Sequence, residues 1–343
     1  MSASPKILLV KLSSLGDVLH NLPIVWDLRA RLPDAQIDWV VEEGYVHLLE
    51  PLLSRDGFRG IDHIIPFGLR RWKKNLIKLS SWKEFFSFRK TLQSTTYDVL
   101  IETQGLLKSA VVSALAKKSS GSVVAGLANA TEFSGYEPLV RMFYNQSVQV
   151  PIRCHAVDRS RWVTCSALGW PLIERGNAPQ FYPSQYIAGI PKNVILGFSA
   201  PYVLCFHSTA RESKRWSNSH WIKFGKALSA LGYQVVFPWG SPSEKMISEL
   251  LAAQVANAFV PPAFSIENAF SVIADAALTV GVDTGLTHLA AVLDKPTVEI
   301  YCDSPRWKTE GYWSERITNE GDLEHPPSVQ EVLDASLRLL QQV

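Results

Sequence analysis

Short apolar runs alternate along this chain with stretches whose apolar positions recur at three and four, the pattern of parallel strands joined by crossover helices. In the first half ILLVKL, QIDWVVEE, DHIIPF, YDVLIET, SVVAGLA and SVQVP read as strands, and Asp17 to Arg31, Leu106 to Ala116 and His155 to Leu168 read as helices. The rhythm lapses over residues 171 to 201, a Pro- and Gly-rich stretch expected to hold a linker. It resumes as YVLCFH, YQVVFPWG, NAFV, LTVGV and TVEIY, five strands with four helices between them, which amounts to a second doubly wound domain. An amphipathic helix from Ser328 to Gln341 ends the chain and has the pattern to pack on either domain. The expected fold is therefore α/β with two doubly wound, Rossmann-like domains: residues 1–180, a linker over 181–200, residues 201–326, and the closing helix over 327–343. A length of 343 residues accommodates two such cores.

Two junctions break the apolar pattern in the same way. ILLVKLSSLGDVLHNLP at 7–23 and LTVGVDTGLTHLAAVL at 278–293 each run from a strand through small and hydroxylic residues into a helix, the place where an open parallel sheet binds ligands. In the first, Asp17 is either an acid that satisfies the helix start or a general base at the mouth of the sheet. Lys11 and the helix N-terminus would both depress its pKa, so its value as a base would come from position.

In the second half, HSTARESKRW at 207–216 follows a strand with hydroxyls and then Arg211, Lys214 and Arg215. That is a basic surface loop or a diphosphate site. SPSE at 241–244 is a capping box that explains Glu244 without any ligand, although a ribose contact is the functional reading. Asp283 to His288 combine a strand-to-helix turn, hydroxyls, a glycine and an imidazole. Here the structural alternatives are an N-cap for Asp283 and a satisfied buried histidine for His288.

Charge and absent motifs narrow the chemistry. The net charge is +2, which argues against nucleic-acid binding through bulk charge. Residues 70–90 nevertheless carry eight cations against Glu84 alone, a local +7 that leaves −5 for the rest. Four scattered cysteines with no C-x-x-C pair fit a reducing compartment rather than a disulfide framework or a zinc site. MSASPKILLVKL is too short an apolar run for a secretory signal, and no uncharged stretch is long enough to span a bilayer. No G-x-G-x-x-G follows the first strand and no P-loop is present, which weakens nicotinamide and P-loop readings. Nor is there a D-x-D, so a sugar-nucleotide enzyme of this build would neutralise its leaving diphosphate with helix dipoles and Lys214.

KLSSLGDVLHNLP, DWVVEEG, RRWKK, QGLLKSA, FYN, HAVDR, PWGSPSE and VDTGLTHL together resemble the lipopolysaccharide heptosyltransferases, the ADP-heptose glycosyltransferases of GT-B type, over nearly the entire chain. The resemblance implies two domains facing a central cleft, the first holding the acceptor and the second the sugar nucleotide. It implies inverting transfer of L-glycero-D-manno-heptose from ADP-L-glycero-D-manno-heptose to the first Kdo of Kdo2-lipid A, with no cofactor and no metal. Asp17 would be the catalytic base, with Lys214 stabilising the leaving group. Donor contacts would come from Ser13, Ser14, Gly16, Thr209, Ala210, Lys214, Glu244, Asp283, Thr284, Gly285 and His288. Acceptor contacts would come from Lys11, Arg70, Arg71, Lys73, Lys74, Gln104 and Lys108. Such an enzyme is expected to be a monomer, cytoplasmic and peripheral on the inner face of the inner membrane.

Two positions depart from the enteric members: Ala210 stands where they carry a second hydroxyl residue, and Tyr136 where they carry a base before E-P-L. A family member acting on another core acceptor is the alternative within the class, and a noncatalytic nucleotide-sugar or lipopolysaccharide-binding module the alternative outside it. The helix WKEFFSFRK interleaves aromatic and basic residues, so it is either an ordinary packing helix or one that enters a membrane interface.

Overall fold

The computed structural model describes residues 4–75, 78–173, 186, 196 and 201–341. The chain divides into two compact units, Met1–Phe181 and Tyr182–Val343. Most of the stretch expected as a linker lies outside the described residues. Tyr186 within it is fully buried and tilts against Phe270 at 6.0 Å between ring centroids.

The first unit holds β1 (Lys6–Val10), β2 (Gln36–Glu42), β3 (His63–Phe67), β4 (Tyr97–Glu102), β5 (Lys118–Leu127) and β6 (Gln146–Val148) in one parallel sheet of order β3-β2-β1-β4-β5-β6. The second holds β7 (Tyr202–Phe206), β8 (Gln234–Val236), β9 (Ala258–Phe259), β10 (Leu278–Val282), β11 (Thr297–Tyr301) and β12 (Ile317–Gly321), ordered β12-β11-β10-β7-β8-β9. Both sheets have the doubly wound order 3-2-1-4-5-6 when their strands are counted from the start of each unit. The order reverses between β1 and β4 in one and between β7 and β10 in the other. The central strands are covered on both faces, so they are apolar almost without interruption: β7, β10 and β11 are buried throughout.

Two expectations need correction, on the first helix and on the strand count of the second sheet, and the closing helix, which had the pattern to pack on either domain, packs on the second. The helix expected from Asp17 to Arg31 is two helices, Leu15–Leu19 and Pro23–Arg31, because Pro23 lacks an N–H and its ring opposes a preceding helical turn. The second sheet has a sixth strand, Ile317–Gly321, whose sequence ITNEG has no apolar alternation; it pairs with β11 at the sheet edge and only Ile317 is buried. The closing helix, Val329–Leu340, is capped by Ser328 and packs on the second sheet, with Val332, Ala335 and Leu339 in a core shared with Val298, Ile300 and Trp216. Its apolar face is thus spent in the second unit.

Gly281 shows how tightly the second junction is built. A Cβ there would lie 2.1 Å from Thr287 Oγ1 and 2.9 Å from Phe206 Cβ, so only glycine lets the helix Gly285–Val292 lie this close to β10.

Candidate active site

Each unit gathers charged side chains at the C-terminal end of its switch-point strands. In the first unit Val10 pairs with both Val40 and Glu102, so the residues after β1, β2 and β4 converge. Gln104 organises the loop after β1. Its Oε1 accepts Leu12 N–H at 2.9 Å and Ser13 N–H at 3.1 Å, while its Nε2 donates to the Ser13 carbonyl at 2.5 Å. Gln104 is therefore occupied in holding the loop, and its carbonyl oxygen is spent before any acceptor arrives. Gly105 follows at φ +75°, a left-handed conformation that suits glycine, and its N–H joins that of Gln104 on the buried Glu102 carboxylate.

The loop so fixed presents Asp17. Its Oδ2 accepts Ser14 N–H at 3.0 Å and the Ser14 hydroxyl at 2.9 Å, and its Oδ1 stands 3.7 Å from Lys11 Nζ. Asp17 keeps 40% of its side chain exposed, whereas Lys11 keeps 2%. Partial burial works to raise the Asp17 carboxyl. The charges of Lys11 and Arg159 and the Ser14 hydrogen bonds outweigh it and hold the carboxyl well below the usual carboxylate range. Burial pushes Lys11 down to about 8, opposed by Asp17 and aided by Arg159. The carboxylate is thus ionised and reachable, as a base that works by placement must be.

Lys108 Nζ bridges Ser13 Oγ at 2.7 Å and Glu42 Oε1 at 2.8 Å, and Arg70 Nε meets the other Glu42 oxygen at 2.7 Å. Among the expected acceptor residues, Lys11, Gln104, Lys108 and Arg70 are thereby joined to Ser13, Ser14 and Asp17. Gly16 sits in the first helical turn, its carbonyl accepting His20 N–H. Arg71 turns the other way, onto Glu43 and Glu84. Lys73 and Lys74 are exposed. Tyr136 packs beside Gly105.

In the second unit Asp283 follows β10 and is nine-tenths buried. Its Oδ2 lies 2.5 Å from Lys214 Nζ and its Oδ1 3.0 Å from His288 Nε2, with Thr309 Oγ1 at 3.4 Å. His288 Nδ1 reaches Glu299 Oε1 at 2.8 Å, and Glu299 Oε2 also accepts Tyr301 OH and Gly311 N–H. Two carboxylates only accept, so each ring nitrogen must donate and His288 is an imidazolium. Burial opposes that charge, but Glu299 and Asp283 prevail and push His288 up to about 10. The same cation and Lys214 hold Asp283 far below the carboxylate range against the effect of its burial.

His288 accordingly faces protein on both nitrogens: it fixes Asp283, and through Asp283 it fixes Lys214. The N-cap of the following helix is Thr284 rather than Asp283, with Gly285 as its first residue. Thr209 donates to the Asp283 carbonyl at 3.3 Å, and Ala210 is exposed beside it. Glu244 Oε2 accepts Gly240 N–H at 2.7 Å and its own N–H meets Ser241 Oγ, so it caps its helix one residue further out than a regular capping box while staying partly exposed.

Sequence reasoning gave no role to Glu42, Glu102, Arg159 or Glu299. Three of these are acids inside or ending apolar strands, where an unpaired charge is costly, and that misplacement is the signal. Among the described residues no group of three or more His, Cys, Asp and Glu is arranged to hold a metal ion. Among the described residues, which include all four cysteines, no disulfide is formed.

The model of glycosyltransferase family 9 (heptosyltransferase) matches residues 85–335. Lipopolysaccharide heptosyltransferase 1 of Pseudomonas aeruginosa is 35% identical over 328 residues, covering 95% of this chain and 86% of that protein. The structure of E. coli heptosyltransferase WaaC with ADP superposes with a TM-score of 0.76 at 29% identity, covering 98% of this chain and 99% of that one. The same enzyme with ADP-2-deoxy-2-fluoro heptose gives 0.73 at 30% identity, covering 98% and 99%. With its two doubly wound sheets of GT-B type and a family match across well over half its length, the chain belongs to glycosyltransferase family 9, the heptosyltransferases.

Proposed function

We propose that the protein transfers L-glycero-D-manno-heptose from the ADP sugar to the first Kdo of Kdo2-lipid A, with inversion, while peripheral on the cytoplasmic face of the inner membrane. The observation that carries this reading is Asp17, an ionised and partly exposed carboxylate held in place by Ser14, Lys11 and the loop that Gln104 anchors. The 35% identity to a lipopolysaccharide heptosyltransferase 1 and the likeness to WaaC with ADP-2-deoxy-2-fluoro heptose support the donor.

In this reading a Kdo hydroxyl attacks the anomeric carbon on the face opposite ADP. The C–O bond to the diphosphate breaks as the new glycosidic bond forms, and Asp17 accepts the hydroxyl proton. Negative charge grows on the departing diphosphate. Lys214 and the free N–H groups at the start of Gly285–Val292 meet it, with no metal assigned a role. Glu244 contacts the ribose through its free oxygen. Arg70, Lys108 and Lys11 supply positive charge for an acceptor rich in carboxylates and phosphates. Among the described residues no helix is long and apolar enough to cross a membrane.

The test is ADP release by the purified protein given ADP-heptose, with and without Kdo2-lipid A, alongside mass analysis of the lipid. Acceptor-dependent release with one heptose added to the lipid is the expected result. Donor binding with no modified lipid overturns the assignment of the acceptor.

A further inference from the structure

The helix Leu79–Leu92 is apolar on two faces. Phe88 and Leu92 are buried, and with Phe85 they pack inward. Phe88 lies 5.1 Å from Phe67 and 5.7 Å from Trp72, and Phe85 lies 5.8 Å from Trp72, measured between ring centroids. The opposite face carries Leu79, Trp82 and Phe86, spaced i, i+3 and i+7, which are 70%, 50% and 56% exposed. Lys83 and Lys90 project from this same face and Arg89 from its flank, all three exposed. The helix has one acid, Glu84, and it is turned away, accepting from Trp72 Nε1 at 3.0 Å and pairing with Arg71.

A packing helix needs only its inner stripe to be apolar. Three large side chains ringed by cations on the outer face, with no exposed acid among them, match a surface that is apolar below and anionic at its rim. We propose that this face docks on an anionic lipid bilayer, with Leu79, Trp82 and Phe86 entering the boundary between headgroups and acyl chains and Lys83, Arg89 and Lys90 meeting lipid phosphates. Charge complementarity selects this occupant over a second copy of the chain. A two-fold pairing through this face would set the three cations of each copy against those of the other.

The face is also rigidly referenced to the first cluster. Arg71 ties Glu84 on the helix to Glu43, the residue after Glu42, which holds Arg70 and Lys108. A lipid surface met by this helix therefore meets the end of β2 at a fixed spacing. That consequence rests on the proposed lipid acceptor, whereas docking itself does not.

The test is co-sedimentation of the full chain with large unilamellar vesicles of phosphatidylcholine, with and without phosphatidylglycerol, read together with tryptophan emission. The wild type is expected to bind only the anionic vesicles, more weakly as salt rises. Trp82→Ser with Phe86→Ser, and separately Lys83→Glu with Lys90→Glu, should each weaken binding about tenfold or more. Circular dichroism and Tm establish that both variants fold. Folded variants that bind like wild type, or a wild type that ignores anionic vesicles, overturn the proposal. So does a concentration-dependent dimer that the Trp82 and Phe86 changes abolish, which would make this a self-association face. Transfer to a water-soluble Kdo acceptor without vesicles reads the proposed activity separately, so either idea can fail alone.

Discussion

His288 and Glu299 form a buried ion pair at 2.8 Å, on a residue of β11 that is otherwise surrounded by apolar strand. Glu299 balances the imidazolium from behind while Asp283 takes its other N–H, so the pair holds Asp283, and with it Lys214, in one orientation. In Glu299→Gln the hydrogen-bonding oxygen remains but the charge is lost, and His288 should titrate well below its present value of about 10. Its folded pKa is raised above the unfolded 6.5, so the stabilisation it contributes is full below about 6.5 and disappears as pH climbs to about 10. The Tm gap between wild type and variant should therefore be full at about pH 6.5, narrow as pH rises, and close near pH 10. The variant's kcat/KM for donor should begin to fall at a lower pH than that of wild type. An imidazole 15N titration unchanged by the substitution would remove Glu299 from this role.

Asp17→Asn keeps the size of the side chain and removes its ability to take a proton. Loss of a general base costs roughly 10² to 10⁴ in kcat, and ADP-heptose affinity should stay within about twofold because the donor charge is met elsewhere. Calorimetric donor binding alongside single-turnover rates separates the two; near-normal turnover would disqualify Asp17. The depressed carboxyl also implies that the acid limb of the wild-type rate profile lies below the ordinary carboxylate range, since the carboxylate form is retained as pH falls. Lys11→Met removes the closest opposing charge, and the acid limb should then move upward in pH.

Gln104→Ala strips three hydrogen bonds from the loop at Leu12 and Ser13 and leaves buried N–H groups unpaired, at a cost of about 1–3 kcal/mol for each such group. Tm should drop, and kcat should fall more than acceptor KM rises, because Asp17 is misplaced while the cationic contacts persist. A variant that raised acceptor KM alone would point instead to the direct acceptor contact expected of Gln104.

Much of the fold could be read because its central strands are buried on both faces and so announce themselves as apolar runs. The missing strand, Ile317–Gly321, sits at a sheet edge where nothing demands apolar residues, and its pairing with β11 is a long-range fact that local pattern does not encode. The site divides in the same way. Asp17, Lys214 and Asp283 lie at strand-to-helix turns, which composition marks. The partners that fix their protonation, Glu299 above all, come from strands distant in sequence, visible only as acids in apolar company. His288 was legible as important but not as buried between two carboxylates, since a spacing of five residues from Asp283 says nothing about what faces its other nitrogen.

Lys214 is the cation with the most to lose by replacement. It is one-fifth exposed and rests on Asp283 at 2.5 Å, so it has both a fixed base and an open side from which to meet a diphosphate. Lys214→Ala should raise donor KM and lower kcat by roughly 10² to 10³, the effect of deleting one preorganised group that stabilises charge in a transition state. Lys214→Arg keeps the charge but spreads it over a planar fork that cannot reproduce a point contact, so it should recover donor binding more fully than turnover. Asp283→Asn provides the internal control. It leaves Lys214 present but unanchored and takes one carboxylate from His288, so kcat should fall while the pKa of His288 drops, both readable in one pH series. A loss of ADP affinity with kcat unchanged for Lys214→Ala would show that the lysine holds ground state and transition state alike, and would confine it to binding.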